Sequence, residues 1–331
     1  MSQAHARAID EAAAALVAGE LVAFPTETVY GLGARADDDA AVARIFQAKG
    51  RPAAHPLIVH VADAASAAWF GNLGVPDSAA QRLIGAFWPG PLTVIVPRHT
   101  GRAAAAAGGQ DSIGLRLPAH PMARAWLKRC AELGVPGVAG PSANRFGRVS
   151  PTRAAHVRAE FGPELRVLDG GDCAVGIESA IVDCTRAQPA LLRPGQLGRG
   201  ALEAVLGRPL AARNHDSPRA SGTLEAHYAP TAPVYLFDAG KGVTVDASGG
   251  GAIGVYSRLA PPRRAGASSA GDTGCRWRPM PADPAAVAHE LFAVLRDFDA
   301  AGVVAIWVEA PPAAPAWDGV RDRLQRAAAN T

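Results

Sequence analysis

Cysteine is scarce in this chain: four in 331 residues, Cys130, Cys173, Cys184 and Cys275, with no C-x-x-C pair among them. That spacing argues against a structural zinc site and against a disulfide framework, so the four read as reduced thiols filling core and strand-end positions. No apolar run approaches the ~18 residues that cross a bilayer. The N-terminus lacks a basic stretch followed by an apolar one, because Asp10 and Glu11 interrupt it. No secretory signal is expected, and the expected location is cytoplasmic. A dominant charge is missing too: 33 Lys and Arg against 30 Asp and Glu leave +3. That balance suits anionic ligands and is too small to argue for nucleic acid. There is no phosphate-loop signature and no G-x-G-x-x-G fingerprint, so any nucleotide must be held by other means.

What is present describes a globular protein. Hydrophobic residues make up 49% and charged residues 19%, with no compositional sign of general disorder. The length suggests two domains, each able to bury its own core. Residues 3–18 read as a helix, and helices are predicted at 39–49, 77–86, 120–132 and 152–160. Short apolar strands are predicted at Leu21–Phe24, Leu57–Val61, Leu92–Val96, Gly114–Leu117, Gly137–Ala139, Val167–Leu168, Ala180–Val182 and Ala190–Leu192. Several lack an intervening helix, which predicts a mixed twisted sheet. From about 208 to 232 the apolar periodicity fades and Pro209, Pro218 and Gly222 punctuate the chain, as in a linker. A smaller α/β unit follows over 233–331. Its strands are Val234–Phe237, Ala252–Tyr256 and Val303–Val308. Asp283 and Pro284 open a helix whose stripe is Val287, Leu291, Val294, Leu295 and Phe298, and 318–329 is a last helix. Residues 259–274 are low in complexity.

The chemistry-bearing residues cluster where apolar runs end. Phe24-Pro25-Thr26-Glu27-Thr28-Val29-Tyr30-Gly31-Leu32-Gly33 passes from a strand to hydroxyls, a carboxylate and a phenol, with glycines for a tight turn or a close approach. Open α/β sheets bind ligands past strand ends. Similar segments recur: Lys49-Gly50-Arg51-Pro52 before His55-Pro56-Leu57-Ile58-Val59-His60, then Phe87-Trp88-Pro89-Gly90-Pro91-Leu92-Thr93, and Ser112-Ile113-Gly114-Leu115-Arg116. Further on come Pro141-Ser142-Ala143-Asn144, Ser150-Pro151-Thr152, Gly176-Ile177-Glu178-Ser179, and Leu192-Arg193-Pro194-Gly195. Converging cations would make a polyanion pocket, and arginine forks suit phosphate. Taken singly, each cation reads better as a solvated surface residue and Ser142 most simply as an N-cap or turn residue, while a satisfied histidine at a strand end is the lesser reading of His60. Glu178 and Asp183 are candidates for a magnesium shell or ordinary strand-end carboxylates.

In its order, this series resembles the YrdC-like family. With His227-Tyr228-Ala229-Pro230, Asp322-Arg323-Leu324 and Arg326-Ala327-Ala328, the chain resembles the family's long form, which makes threonylcarbamoyl-adenylate. The resemblance implies a YrdC-like α/β catalytic domain over 1–207, with a twisted mixed sheet and helices. A linker or lid (208–232) and a Rossmann-like C-terminal α/β domain (233–331) follow. It implies a nucleotidyltransferase reaction: L-threonine takes up bicarbonate, the carbamate attacks the α-phosphorus of ATP, and pyrophosphate leaves. The product would supply N6-threonylcarbamoyladenosine beside the tRNA anticodon through a downstream transferase complex, with no stable nucleic-acid binding and no membrane. Lys49 and Arg51 match the lysine-x-arginine-proline motif and carry the catalytic assignment. His55, Ser112, Ser142, Asn144, Ser150, Arg193 and Tyr228 join them as ATP contacts. Thr28, His60, Arg116, Gly140 and Ser179 match positions around L-threonine. No metal ligand is assigned; Mg²⁺ is expected on the ATP phosphates and water.

The chain departs from the family's usual residues in two places. Ala180 stands where threonine usually follows Glu-Ser, and Phe146 where serine often precedes the glycine. An alternative reading is a double-stranded RNA-binding, translation-associated module, which predicts a broad basic face that these dispersed cations do not supply. A hydrogenase-maturation carbamoyl-adenylate domain would bring acylphosphatase and zinc-finger segments, absent here.

Overall fold

Pro25 ends the first strand, and the chain reverses at once. The computed structural model describes residues 2–224, 226–239, 251–259 and 274–329. Most of the low-complexity stretch lies outside them. The described chain divides into two units, 1–146 with 150–223, and 147–149 with 224–331. One boundary falls at 223/224, and residues 147–149 group with the second unit.

In the first unit, β1 (Val22–Phe24) pairs antiparallel with β2 (Gly31–Arg35), and the polar turn 25–30 joins them. Sequence periodicity does not find β2, because its glycines read as turn residues. They are glycines for another reason. A Cβ on Gly31 would sit 2.7 Å from the Phe24 ring, and one on Gly33 2.9 Å from Val138. Close strand packing, not a turn, requires them.

Eight more strands complete the sheet: β3 (Ile58–His60), β4 (Leu92–Pro97), β5 (Ser112–Arg116), β6 (Val138–Ala139), β7 (Arg166–Val167), β8 (Ala180–Asp183), β9 (Ala190–Arg193) and β10 (Ala211–Ala212). Their order is β10-β9-β8-β4-β5-β3-β6-β2-β1-β7. Parallel pairs (β3 with β5, β4 with β8) alternate with antiparallel ones (β4 with β5, β8 with β9), so the sheet is mixed as expected. The helices of this unit are α1 (Gln3–Val17), α2 (Asp39–Lys49), α3 (Ala64–Phe70), α4 (Ala79–Phe87), α5 (Pro121–Glu132), α6 (Ala154–Phe161) and α7 (Arg199–Leu206). Of these, α3 and α7 are short and alanine- or glycine-containing, and their pattern is too brief to read from periodicity.

Cores form on both faces of the sheet. Ile9, Leu16, Trp126 and Leu127 from α1 and α5 pack on Phe24 and Val138. Val42, Ile45, Leu83 and Leu202 from α2, α4 and α7 join the larger cluster with Val59, Val94 and Leu115. Caps set the ends of α2: the Asp38 carboxylate accepts from the amides of Ala40 and Ala41, and Gly50 closes the helix at φ 64°. That closure turns the chain straight from Lys49 to Arg51.

The second unit is a four-stranded parallel sheet, β11 (Val234–Phe237), β12 (Ile253–Ser257), β13 (Cys275–Pro279) and β14 (Ala305–Glu309), ordered β11-β14-β12-β13. Its helices are α8 (Pro284–Ala300) and α9 (Asp318–Ala328). The predicted stripe of α8, Val287, Leu291, Val294, Leu295 and Phe298, is buried. Phe298 lies where a side chain on Gly254 would be, so glycine there lets the helix approach the sheet. Strand β13 escapes periodicity because Arg276, Trp277 and Arg278 are all exposed on an edge.

Candidate active site

The turn after β1 is fixed by its own hydroxyls. Thr26 Oγ1 donates to the carbonyl of Val29 at 2.6 Å and lies 2.8 Å from Thr28 Oγ1. Thr28 is fully buried. Next to it the Arg116 guanidinium donates through Nη2 to Glu27 Oε1 at 2.6 Å, while Glu27 Oε2 accepts from the Ala119 amide at 3.0 Å. Both charged groups are buried.

His60 ends β3, edge-on to Phe24 at 5.2 Å between ring centroids. Gly140 leaves no room for a side chain there, since a Cβ would meet the Phe24 ring at 2.9 Å and His60 Nδ1 at 3.1 Å. Burial, and then the positive charge of Arg116, hold His60 down to about 3. It is therefore neutral at physiological pH. Above about 6.5 the imidazole is neutral in both folded and unfolded chains. As pH falls below that value the unfolded chain takes up a proton that the folded one refuses, so stability declines until pH reaches about 3. Between pH 7.5 and 5, wild type should lose about 2 kcal/mol more unfolding free energy than His60→Gln. Urea midpoints of the two proteins at both pH values measure this, and parallel losses would contradict it.

A second group is built around α2. Lys49 is buried, and its Nζ donates to the Ser142 carbonyl at 2.7 Å and to the Asn144 carbonyl. Burial, and then the Arg51 charge, pull its ammonium well below the ordinary lysine value. The Lys49 carbonyl accepts from the Phe146 amide at 2.9 Å, closing a ring between helix end and loop. Arg51 donates to the Pro56 carbonyl at 3.1 Å and lies 5.7 Å from the Phe146 ring centroid, which His55 meets edge-on at 5.6 Å. Phe146 thus gives this chain an apolar wall where a hydroxyl is usual in the resembled family.

A third group joins β8, β9 and β4. Arg193 donates to the Ser179 carbonyl at 3.1 Å and to Ser179 Oγ at 3.2 Å; its Nη1 donates to the Ser221 carbonyl at 2.9 Å. Ser179 Oγ lies 2.8 Å from Thr93 Oγ1. Ser112, at the start of β5, lines a narrow cleft with Pro56, Ile58, Thr93 and Ser221. Ser150 donates to the Glu178 carboxylate.

These groups interlock through backbone. Ala143 donates to the Tyr30 carbonyl at 2.8 Å, Tyr30 to Pro151 at 2.8 Å, and Val175 to Glu27 at 2.7 Å. Lys49, Ser142 and Asn144 therefore come together, as do Arg116, His60 and Gly140, and Ser179 with Arg193, while Thr28 bonds Thr26 beside the Glu27 that holds Arg116. Tyr228 lies in the second unit. It is buried at φ 62°, its ring centroid 5.4 Å from that of Phe292, with the Arg323 guanidinium 5.4 Å from its ring. Glu27 and Thr93 are the partners that sequence reasoning missed. The signal for Glu27 was a carboxylate placed between two threonines just past an apolar strand end. Thr93 closes one of the recurring segments, but its place in an apolar run gave it no role.

Residues 14–195 match the Sua5/YciO/YrdC family model, described as telomere recombination, and residues 198–329 match the model of the threonylcarbamoyl-AMP synthase C-terminal domain. The chain belongs to the Sua5/YciO/YrdC family. A Bacillus subtilis relative named threonylcarbamoyl-AMP synthase is 37% identical over 97% of this chain and 92% of its own length. A Pyrococcus abyssi relative of the same name is 42% identical over 66% of this chain, and the match spans 65% of that relative. The structure of Pyrococcus abyssi Sua5 complexed with L-threonine superposes with a TM-score of 0.81 at 34% identity, covering 97% of this chain and 94% of that one. A doubly substituted form of that Sua5 gives 0.83 at 33% identity, covering 97% and 92%. The mixed sheet with helices and the separate parallel C-terminal sheet are the Sua5 architecture.

Cys130, Cys173 and Cys184 are free thiols. Burial pushes the thiols of Cys130, Cys173 and Cys184 up to about 12, so none is a ready nucleophile.

Proposed function

We propose that this chain is a threonylcarbamoyl-AMP synthase, condensing L-threonine, bicarbonate and ATP with release of pyrophosphate. The observation that carries this is the likeness, over nearly the whole chain, to a Sua5 whose structure was solved with L-threonine. A buried arginine beside small hydroxyls suits an amino acid's carboxylate and β-hydroxyl. Lys49, Arg51 and Arg193, with Ser142, Asn144, Ser150, Ser112 and His55, suit a triphosphate and its nucleoside. Tyr228 is assigned to ATP on its motif alone.

The amine of threonine adds to bicarbonate carbon and water leaves, giving a carbamate. A carbamate oxygen then bonds to the α-phosphorus as the bond to the bridging oxygen breaks, and pyrophosphate carries off the electron pair. Fixed cations and amides serve this step by alignment and by neutralising charge, with no covalent intermediate on the protein. Glu27 and Glu178 are already engaged with protein donors. Among the described residues no three His, Cys, Asp or Glu converge as a metal cage. A Mg²⁺ would be carried in on phosphate oxygens and water, where it would polarise the phosphoryl group. The threonylcarbamoyl group is destined for tRNA through a downstream transferase, which goes with a cytoplasmic location. No helix among the described residues is long and apolar enough to cross a membrane.

The RNA-binding alternative gains nothing from relatives named as synthases. Purified protein given ATP, bicarbonate and L-threonine should release pyrophosphate, and omission of either co-substrate should stop it. Equal release without threonine would overturn the proposal.

A further inference from the structure

We propose that Glu27 is a positioning residue for the amino-acid substrate, acting through Arg116. The proposal rests on the reading of Arg116 as the group that meets the threonine carboxylate. Arg116 commits Nη2 to Glu27 Oε1 at 2.6 Å and Nε to the Gly90 carbonyl at 3.4 Å. Nη1 makes no hydrogen bond with any described residue, so one corner of the fork is left for a ligand. Glu27 cannot follow the arginine if it turns. Its other oxygen accepts from the Ala119 amide at 3.0 Å, and its own carbonyl accepts from Val175 at 2.7 Å.

Two consequences follow from this brace. The guanidinium loses its rotamer freedom at folding, before substrate arrives, so less is lost on binding. The pair is also neutral as a whole. The pocket then selects a carboxylate by direction, through one oriented N–H, more than by net charge.

A carboxylate is needed here because two donors face it from opposite sides. Glutamine at this position has one oxygen and one NH₂, so either Arg116 or the Ala119 amide would face another donor. Glu27→Gln therefore breaks the brace at nearly constant volume. Glu27→Asp keeps the charge one methylene short and should rescue part of the loss.

The test measures pyrophosphate release by the full-length protein, with KM taken separately for L-threonine and ATP. Glu27→Gln should raise KM for L-threonine 10- to 100-fold and leave KM for ATP within about twofold, and Glu27→Asp should fall between it and wild type. A merely structural role would move both KM values and the melting temperature together. If Glu27→Gln does not fold, Glu27→Asp alone must still raise the threonine KM selectively. An unchanged threonine KM in the folded variants, or an equal rise for both substrates, overturns the inference. Wild type that releases pyrophosphate without threonine would instead overturn the functional reading, and the inference with it.

Discussion

Arg193→Ala should lower turnover by roughly 10²-fold or more while the protein stays folded. Arg193 ends β9 and reaches across to β8, where it holds Ser179 by both carbonyl and hydroxyl. Its remaining nitrogen holds the Ser221 carbonyl. The side chain is buried, with only 2% of its surface exposed, which makes a solvated surface role untenable. Removing it deletes a fixed positive charge from the proposed phosphate site and leaves the Ser179 hydroxyl held by Thr93 alone. The carbonyl of Ser179 loses a donor, so about 1–3 kcal/mol of stability should go with the activity. In a unit of this size that is a melting shift of several degrees, small beside the kinetic loss. Arg193→Lys separates charge from geometry: it restores the cation without the fork, and should recover stability better than turnover. Steady-state kinetics beside a melting curve for each variant decides the matter. Near-normal turnover in Arg193→Ala would reduce the residue to a structural tie.

In the first unit, candidate residues were legible in sequence wherever a chemical group followed an apolar run. Their ligand roles rest on the resemblance, but Lys49, Ser142, Asn144, Arg116 and Arg193 were marked as candidates that way, because strand ends and helix caps leave local marks. Partners across the sheet leave none. Thr93 reads as one more member of Leu92–Val96, and only the parallel register of β4 with β8 sets it beside Ser179. Glycine misled in the other direction. Gly31 and Gly33 look like turn residues, and their use became visible only with the Phe24 ring against them. Strand β13 was hidden for the opposite reason to a core strand: an edge position exposes both its faces, so no alternation is written into Cys275–Pro279. The two arginines of the threonylcarbamoyl-adenylate reading, Arg116 and Arg193, were each found without the partner that orients them.

Lys49→Met should cost turnover about 10²- to 10³-fold and should also remove a proton that wild type takes up on binding ATP. In the free protein Lys49 is packed away from water, with Arg51 adding repulsion, and both depress its ammonium. Two carbonyls, of Ser142 and Asn144, hold it in place and only partly offset that cost. A triphosphate arriving beside Lys49 and Arg51 reverses the balance, because its charge favours the protonated amine. Binding then draws in protons, up to one per site, at pH values between the depressed value of the free protein and the higher value of the complex. By linkage, ATP affinity should weaken as pH rises through that region. Methionine matches the length of the lysine stem but offers no donor, so the loop carrying Ser142 and Asn144 loses its tie to α2. Titration calorimetry of ATP in buffers of different ionisation enthalpy reads the uptake directly. Wild type should give apparent enthalpies that vary with the buffer, whereas Lys49→Met should give nearly constant ones. Buffer-independent enthalpy in wild type would show that Lys49 keeps its proton throughout, and that its role is to order the loop alone.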